Sequence, residues 1–338
     1  MISKYLEKTW RKIFQTYMKV KKRLSPMAYE FVAADITGNC NLRCTFCIND
    51  FSRIKGNTLM EEATFEKLLT LIPLVNGCNF FISCLFEPAV HPSFISFLEK
   101  IPPKYRNKVY FTTNLSIKLR RRDLQRLSHV NVHHINISID SLQRETFEKL
   151  RQKANFEVFI DNLRSLAEVF SGAVRPPRIR FTTMALKPNL HEIPNLVETC
   201  AQTYLAYTHE IRHVYPVPHL SSQWKQDNLI SNHDWQELRV FAEETPYNCE
   251  LVPPPPVYFP DDHQPYSRQP DGISANGPAS AANSLPFGLN VKSDGTVSLY
   301  GKPEIQYKLD TLEEPGRFFK KQMNHFQTII RTQEPVRE

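Results

Sequence analysis

Glycine is scarce in this chain, 10 of 338 residues, which is about 3% against a usual ~7%. Neither G-x-G-x-x-G nor G-x-x-x-x-G-K-[ST] occurs, so Rossmann and P-loop nucleotide binding lose their main support. Long apolar runs are missing as well. No stretch approaches the ~18–20 consecutive apolar residues of a membrane span, and no apolar block precedes a small-residue cleavage site at the N-terminus. Cysteine is thin and odd in number, seven residues with three of them crowded into 40–47. That usage argues against a disulfide framework and for a reducing compartment, so a cytoplasmic protein is expected.

What is present is the composition of an ordinary globular chain, 41% apolar, 23% charged and 11% aromatic, enough for one sizeable core or two modest ones. Its charge is uneven. Residues 1–26 hold eight basic side chains against the single acid Glu7, and so carry the whole net charge of +7. Ile2, Leu6, Trp10, Ile13, Tyr17, Val20 and Leu24 recur every three or four positions there, which predicts one basic amphipathic helix ending near Pro26. Such a helix can lie on an anionic membrane or a partner, or cover one end of a barrel with its lysines in water. The neutral remainder offers no second basic surface, so nucleic acid is not an expected partner. The run Lys118, Arg120, Arg121, Arg122 and Arg126 reads as a solvated helix face.

From residue 28 to about 216, short β-rich apolar runs alternate with helical patterns. Strands are predicted at 30–34, 80–84, 109–113, 134–139, 178–184 and 211–215, with helices at 60–71, 93–99, 118–127, 155–170 and 192–201. One strand every ~32 residues is the size of a βα unit, whereas a closed eight-unit barrel takes ~250 residues. The predicted fold is therefore α/β: a partial (β/α)6 TIM-type barrel of parallel strands over 28–220. A helical connection is expected at 221–252 and a Pro-rich loop or linker at 253–286. A small α+β extension follows at 287–338, with a hairpin around Ser293-Asp294-Gly295 and a last helix near 317–330.

The segment that carries chemistry is Cys40-Asn41-Leu42-Arg43-Cys44-Thr45-Phe46-Cys47, directly after the first predicted strand. Three thiolates within eight residues can converge on one soft metal centre. Structural zinc takes four protein ligands, and no nearby Cys or His completes that set. An iron–sulfur cubane suits three cysteines better, because it leaves one iron open to a small chelating molecule.

With its C-x3-C-x2-C spacing and an aromatic before the last Cys, this segment resembles the signature of the radical S-adenosylmethionine (SAM) superfamily. The resemblance implies one [4Fe–4S] cluster held by Cys40, Cys44 and Cys47, with Phe46 shielding it towards the adenine of SAM. It also implies reductive SAM cleavage to a 5′-deoxyadenosyl radical that abstracts hydrogen. Ser83-Cys84-Leu85-Phe86-Glu87-Pro88 is similar to the family's G-G-E-P loop, which receives the SAM amino group. Glu87 matches its acid, and Leu85 and Phe86 stand in place of the glycines. Thr113-Asn114 resembles a T-N segment, and Ser138-Ile139-Asp140 an S-x-D segment that bonds the ribose or carboxylate of SAM. Arg180 is placed to pair with the SAM carboxylate and Met184 to lie against adenine. Glu87, Asn114, Ser138, Asp140, Arg180 and Met184 are thus the expected cofactor contacts, and their shared position at predicted strand ends is what binds them into one reading.

Residues 288–300, followed by Leu309-Asp310-Thr311-Leu312, are similar to the SPASM or twitch extension of radical SAM maturases. Tyr300 stands where an auxiliary-cluster cysteine is expected, and no cysteine follows Cys249. The extension implies a peptide or small natural-product substrate, with a carbohydrate or nucleoside as the alternative. An external one-electron reductant of flavodoxin or ferredoxin type is the implied partner. Cys249 is a candidate hydrogen-atom donor to a substrate radical. From other classes, a non-catalytic iron–sulfur electron carrier would use the same cysteines without the strand-end polar residues, and a tethering scaffold would rest on residues 1–26.

Overall fold

The computed structural model describes residues 27–83, 85–214, 216–252 and 287–331. The expectations for the basic segment 1–26, for Cys84 and for the Pro-rich tract 253–286 lie outside the described residues. Twelve strands are present among the described residues: β1 (Phe31–Ala34), β2 (Arg43–Cys44), β3 (Phe80–Ile82), β4 (Val109–Thr113), β5 (His134–Ser138), β6 (Arg151–Gln152), β7 (Arg178–Ala185), β8 (Ala206–His213), β9 (Cys249–Val252), β10 (Gly288–Val291), β11 (Thr296–Leu299) and β12 (Lys302–Lys308). Ten of them form one sheet in the order β12-β11-β10-β1-β3-β4-β5-β7-β8-β9, and β2 pairs with β6 separately. Every neighbouring pair from β10 to β9 is parallel.

Helices supply the crossovers: α1 (Glu62–Leu69), α2 (Phe94–Lys100), α3 (Arg121–His129), α4 (Arg144–Leu150), α5 (Phe156–Ser171), α6 (Ile193–Thr203), α7 (Ser222–Asn228), α8 (Asn232–Glu244) and the terminal α9 (Pro315–Arg331). The mixed α/β architecture with a mostly parallel sheet is that of a partial TIM barrel. Along β7 the side chains of Ile179, Phe181, Thr183 and Ala185 are buried and alternate with the more open Arg178, Arg180, Thr182 and Met184. This is the two-residue period of a strand with two unlike faces. On the helix side, Phe111, Ile135, Ile137, Ile179 and Phe181 pack with Leu124 and Leu127 of α3 and Phe159, Leu163 and Leu166 of α5. The opposite face carries Tyr110, Thr112, Asn136, Ser138, Arg180, Thr182, Met184, Glu210 and Arg212, which are in register across β4, β5, β7 and β8. The barrel interior is thus polar and aromatic, and its outer surface is the apolar core.

Three differences from the sequence reading have physical causes. The sixth barrel strand begins earlier, at Ala206, because His209 and Glu210 are buried by the sheet and not placed in a loop. β9, within the expected helical connection, adds a further parallel strand beside β8. The C-terminal hairpin is not a separate appendage: β10 pairs in parallel with β1, so β10 to β12 prolong the barrel sheet. Long-range polar contacts anchor this edge. Thr64 Oγ1 donates to Asp310 at 2.7 Å, Gly316 N–H to Thr70 Oγ1 at 3.0 Å, and Tyr29 Oη to the Phe319 carbonyl at 3.0 Å. Of the basic run 118–126, Arg121, Arg122 and Arg126 lie on α3 while Lys118 and Arg120 precede it, and the run is paired at the surface, with Arg121 on Glu168, Arg120 on Asp123 and Arg126 on Glu99.

Gly288 is the close approach in this edge, since a Cβ there would overlap the Phe31 ring, which itself meets Tyr300 edge-on at 5.0 Å. Gly288→Ala is expected to lower the unfolding free energy by about 1–3 kcal/mol, measured by urea denaturation. Phe31→Ala in the same background should recover part of that loss. Strictly additive effects of the two changes would show that the hairpin does not dock through this contact.

Candidate active site

The loop carrying Cys40, Cys44 and Cys47 leaves the C-terminal end of β1, the end at which parallel α/β barrels build their sites. Its backbone is held by its own side chains. Arg43 donates to the carbonyls of Cys40 and Leu42, both at 2.7 Å, and its guanidinium lies 4.0 Å above the Phe51 ring. Asn39 Oδ1 accepts the Cys40 N–H at 2.8 Å. From the far side, β2 pairs antiparallel with β6, so Cys44 lies opposite Arg151, and Thr45 N–H reaches the Leu150 carbonyl at 2.9 Å.

All three thiols are free and half-buried. Leu42 N–H points at Cys40 Sγ and Asn49 N–H at Cys47 Sγ, each at 3.4 Å. Burial pushes the Cys44 thiol up to about 12 and raises Cys40 and Cys47 as well; neighbouring sulfurs add to the rise at Cys40 and Cys44, while Arg151 and Arg43 oppose it at Cys47. Loading a metal centre must therefore expel protons from these thiols. Among the described residues no three Cys, His, Asp or Glu side chains converge on a single metal ion. A cubane spreads three cysteine ligands over three irons. Sulfurs that accept backbone N–H groups in a half-dry pocket fit such a cluster.

The loop after β3 is shaped from inside. Asp35 Oδ1 accepts the N–H groups of Leu85 at 2.9 Å and Phe86 at 3.3 Å. The left-handed backbone among its described residues falls on Ser83, φ 61°, so Leu85 and Phe86 need no glycine freedom. The Glu87 carboxylate does not face outward. It is 3% exposed and accepts from Thr113 Oγ1 at 2.8 Å, Ala89 N–H at 3.1 Å and Asn114 N–H at 2.6 Å. Glu87 is therefore a brace joining the β3 and β4 strand ends, and its carbonyl, not its carboxylate, accepts from Thr37 Oγ1. Asn114 is equally committed to the protein. Its amide donates to Asn41 Oδ1 at 2.9 Å and lies 3.5 Å from Cys40 Sγ, so it reaches the sulfur loop directly.

Ser138 ends β5 half-exposed, beside Thr182 of β7. Phe46 and Met184, both partly buried, pack against the same cluster of Leu150, Leu186 and Val214, as do Trp224 and Leu229. Asp140 does not point into open space. It is fully buried, forms a 2.8 Å ion pair with Arg151 and accepts the Met184 N–H at 2.8 Å.

Two expected positions are displaced. Arg180 sits in mid-strand beside Asn136 and Thr208, and its guanidinium pairs with the buried Glu210 and with Glu250, 3.5 Å away. Its charge is spent inside the barrel wall, well below the strand end where SAM was expected. Cys249 is on the wrong face for a hydrogen donor. It packs among Ile193, Val197, Ile211 and Leu238 on the helix side, and burial pushes its thiol up to about 11. Arg151 went unrecognised in the sequence because only the two-residue β2–β6 ladder carries it to Cys44. Asp35 carried a readable signal, an acid at the end of the first strand just before the cysteines.

Residues 35–200 match the family model described as the radical SAM superfamily. The chain carries a radical SAM superfamily domain over these residues. Enzymes of that superfamily use a [4Fe–4S] cluster and SAM. Among curated relatives it is 24% identical over 217 residues to the GTP 3′,8-cyclase of Streptomyces coelicolor, covering 61% of this chain and 60% of that one. It is 29% identical over 172 residues to the GTP 3′,8-cyclase of Chlorobaculum tepidum, covering 50% and 49%. The chain thus spans about half to three-fifths of the curated relatives it matches. In fold it is similar to Streptococcus suis SuiB bound to precursor peptide SuiA, with TM-score 0.58, 12% identity, and 86% of this chain and 64% of that one covered. It is also similar to anSMEcpe with bound AdoMet and Cp18Cys peptide, with TM-score 0.53, 13% identity and coverage of 88% and 82%. Among the described residues no helix is long and apolar enough to cross a membrane.

Burial pushes the Glu87 carboxyl from 4.5 up to about 7. The fold then keeps a proton that the unfolded chain releases, so this group's contribution to stability falls as pH rises from about 4.5 to 7. Glu87→Gln removes that slope and sets an amide donor against a backbone donor, costing roughly 1–3 kcal/mol at pH 5. Urea melts of both proteins across this pH range check it. An unchanged slope in the variant would show that Glu87 is not the titrating group.

Proposed function

We propose that this chain cleaves SAM reductively at a [4Fe–4S] cluster held by Cys40, Cys44 and Cys47, and takes a hydrogen atom from a substrate lying against the barrel interior. Cys40, Cys44 and Cys47 would hold the cluster, and when bound it would supply the one electron needed to break the S–C5′ bond of SAM into methionine and a 5′-deoxyadenosyl radical able to take the hydrogen atom. The electron comes from an external one-electron reductant of flavodoxin or ferredoxin type. Phe46 and Met184 form the apolar wall against which adenine lies, and the Ser138 hydroxyl serves the ribose or carboxylate. Glu87 and Asn114 act by fixing the loops around the sulfurs.

The observation that carries this reading is the joining of Phe46 and Met184 in one apolar cluster beside the cysteine loop. Sulfur ligands and adenine-side residues then share one rim, which an electron carrier has no use for. The substrate is a peptide or small natural product. This choice is supported by similarity in fold over 86% and 88% of this chain to the peptide-bound SuiB and anSMEcpe structures. A nucleotide is the second reading, favoured by the GTP 3′,8-cyclases among the sequence relatives.

Anaerobic reconstitution followed by dithionite and SAM is expected to give 5′-deoxyadenosine from the wild type and none from Cys44→Ala, assayed by chromatography. Equal yields from the two proteins would reject the assigned ligands. Release of 5′-deoxyadenosine above the substrate-free rate with a candidate peptide and not with GTP supports the first substrate reading, and the reverse result supports the second.

A further inference from the structure

Beside Cys44 the protein buries an ion pair that the SAM contacts described above leave unused. The Arg151 side chain is 5% exposed and that of Asp140 0%, with 2.8 Å between them. The guanidinium Nη1 lies 4.0 Å from Cys44 Sγ, and the guanidinium carbon is 5.7 Å from the centre of the Phe46 ring. Arg151 also acts on Cys47 and Glu87 through its charge, and Arg43 is the other cation facing Cys47. Burying two charges costs several kcal/mol per ion before their attraction repays it. Among the described residues Arg151 Nε is buried with no hydrogen-bond partner.

We propose that Arg151 and Asp140 set the reduction potential of the cluster, Arg151 raising it and Asp140 holding part of that rise in check. Reduction adds one negative charge to a centre ligated by Cys44. A fixed positive charge at this range in a dry site stabilises the reduced form, and a carboxylate behind it partly cancels the field. The β2–β6 ladder fixes the distance, because Cys44 and Arg151 are register partners in it. Arg151 is thus a positioning and tuning residue for the electron that starts the reaction. The inference rests on Cys40, Cys44 and Cys47 being the cluster ligands.

The test is a reductive titration of the reconstituted full-length protein, followed by electron paramagnetic resonance and run without SAM so that SAM binding is not read. Iron and sulfide content is measured first. A wild type with a four-iron complement that Cys44→Ala loses establishes the ligand set, independently of any potential. Arg151→Gln is expected to shift the midpoint to lower potential, Asp140→Asn to shift it to higher potential, and Arg151→Lys to stay near the wild type. Shifts of the same sign in Arg151→Gln and Asp140→Asn, or no shift in either, overturn the proposal, since loosened architecture has no reason to act with opposite signs. Should Arg151→Gln fail to load, Asp140→Asn decides alone: a rise supports the proposal, and a fall or no change rejects it.

Discussion

The two-residue ladder between Arg43–Cys44 and Arg151–Gln152 is the constraint on which the site depends. A loop holding three half-buried cysteines has little regular structure of its own, and its thiols prefer to stay protonated when buried. Pairing with β6 turns that loop into a short sheet edge anchored to the crossover after β5. It also brings a permanent cation to the middle cysteine. Asp140 then locks the cation by an ion pair and locks the end of β7 through the Met184 N–H. One buried carboxylate thus links the cysteine loop, the β5 end and the β7 end.

The same device recurs one strand pair away. Glu87 gathers Ala89, Thr113 and Asn114, and Asn114 passes the constraint on to Asn41 and the Cys40 sulfur. Acids that the resemblance assigned to cofactor contact are thus turned inward as braces. A carboxylate accepting several buried donors fixes loop geometry more tightly than one waiting in solvent. Around the cysteine loop, Ser138, Phe46 and Met184 remain only partly buried. The wall below carries the Arg180, Glu210, Arg212 and Glu250 charges and the stacked rings of Phe81, Tyr110 and His134.

Much of this was legible before any fold was known. The strands at 109–113 and 178–184 could be read because each is a short β-rich apolar run, and the cysteines because their spacing is short and local. β9 was hidden in what read as a helical connection, since Cys-Glu-Leu-Val is too short to announce itself. The edge formed by β10, β11 and β12 read as an appendage because parallel pairing with β1, some 250 residues earlier, leaves no local trace.

Composition and local pattern by themselves determined the α/β class, the parallel repeat and the three cysteines, since each depends on residues within one or two turns of chain. Only the tertiary structure decided which way the polar side chains face: Glu87 and Asp140 into the protein, Arg180 onto Glu210, Cys249 towards the helices and Arg151 onto Cys44. Facing depends on register between distant strands. A shift of one residue moves a side chain to the opposite surface of a sheet, and no local sequence records that choice.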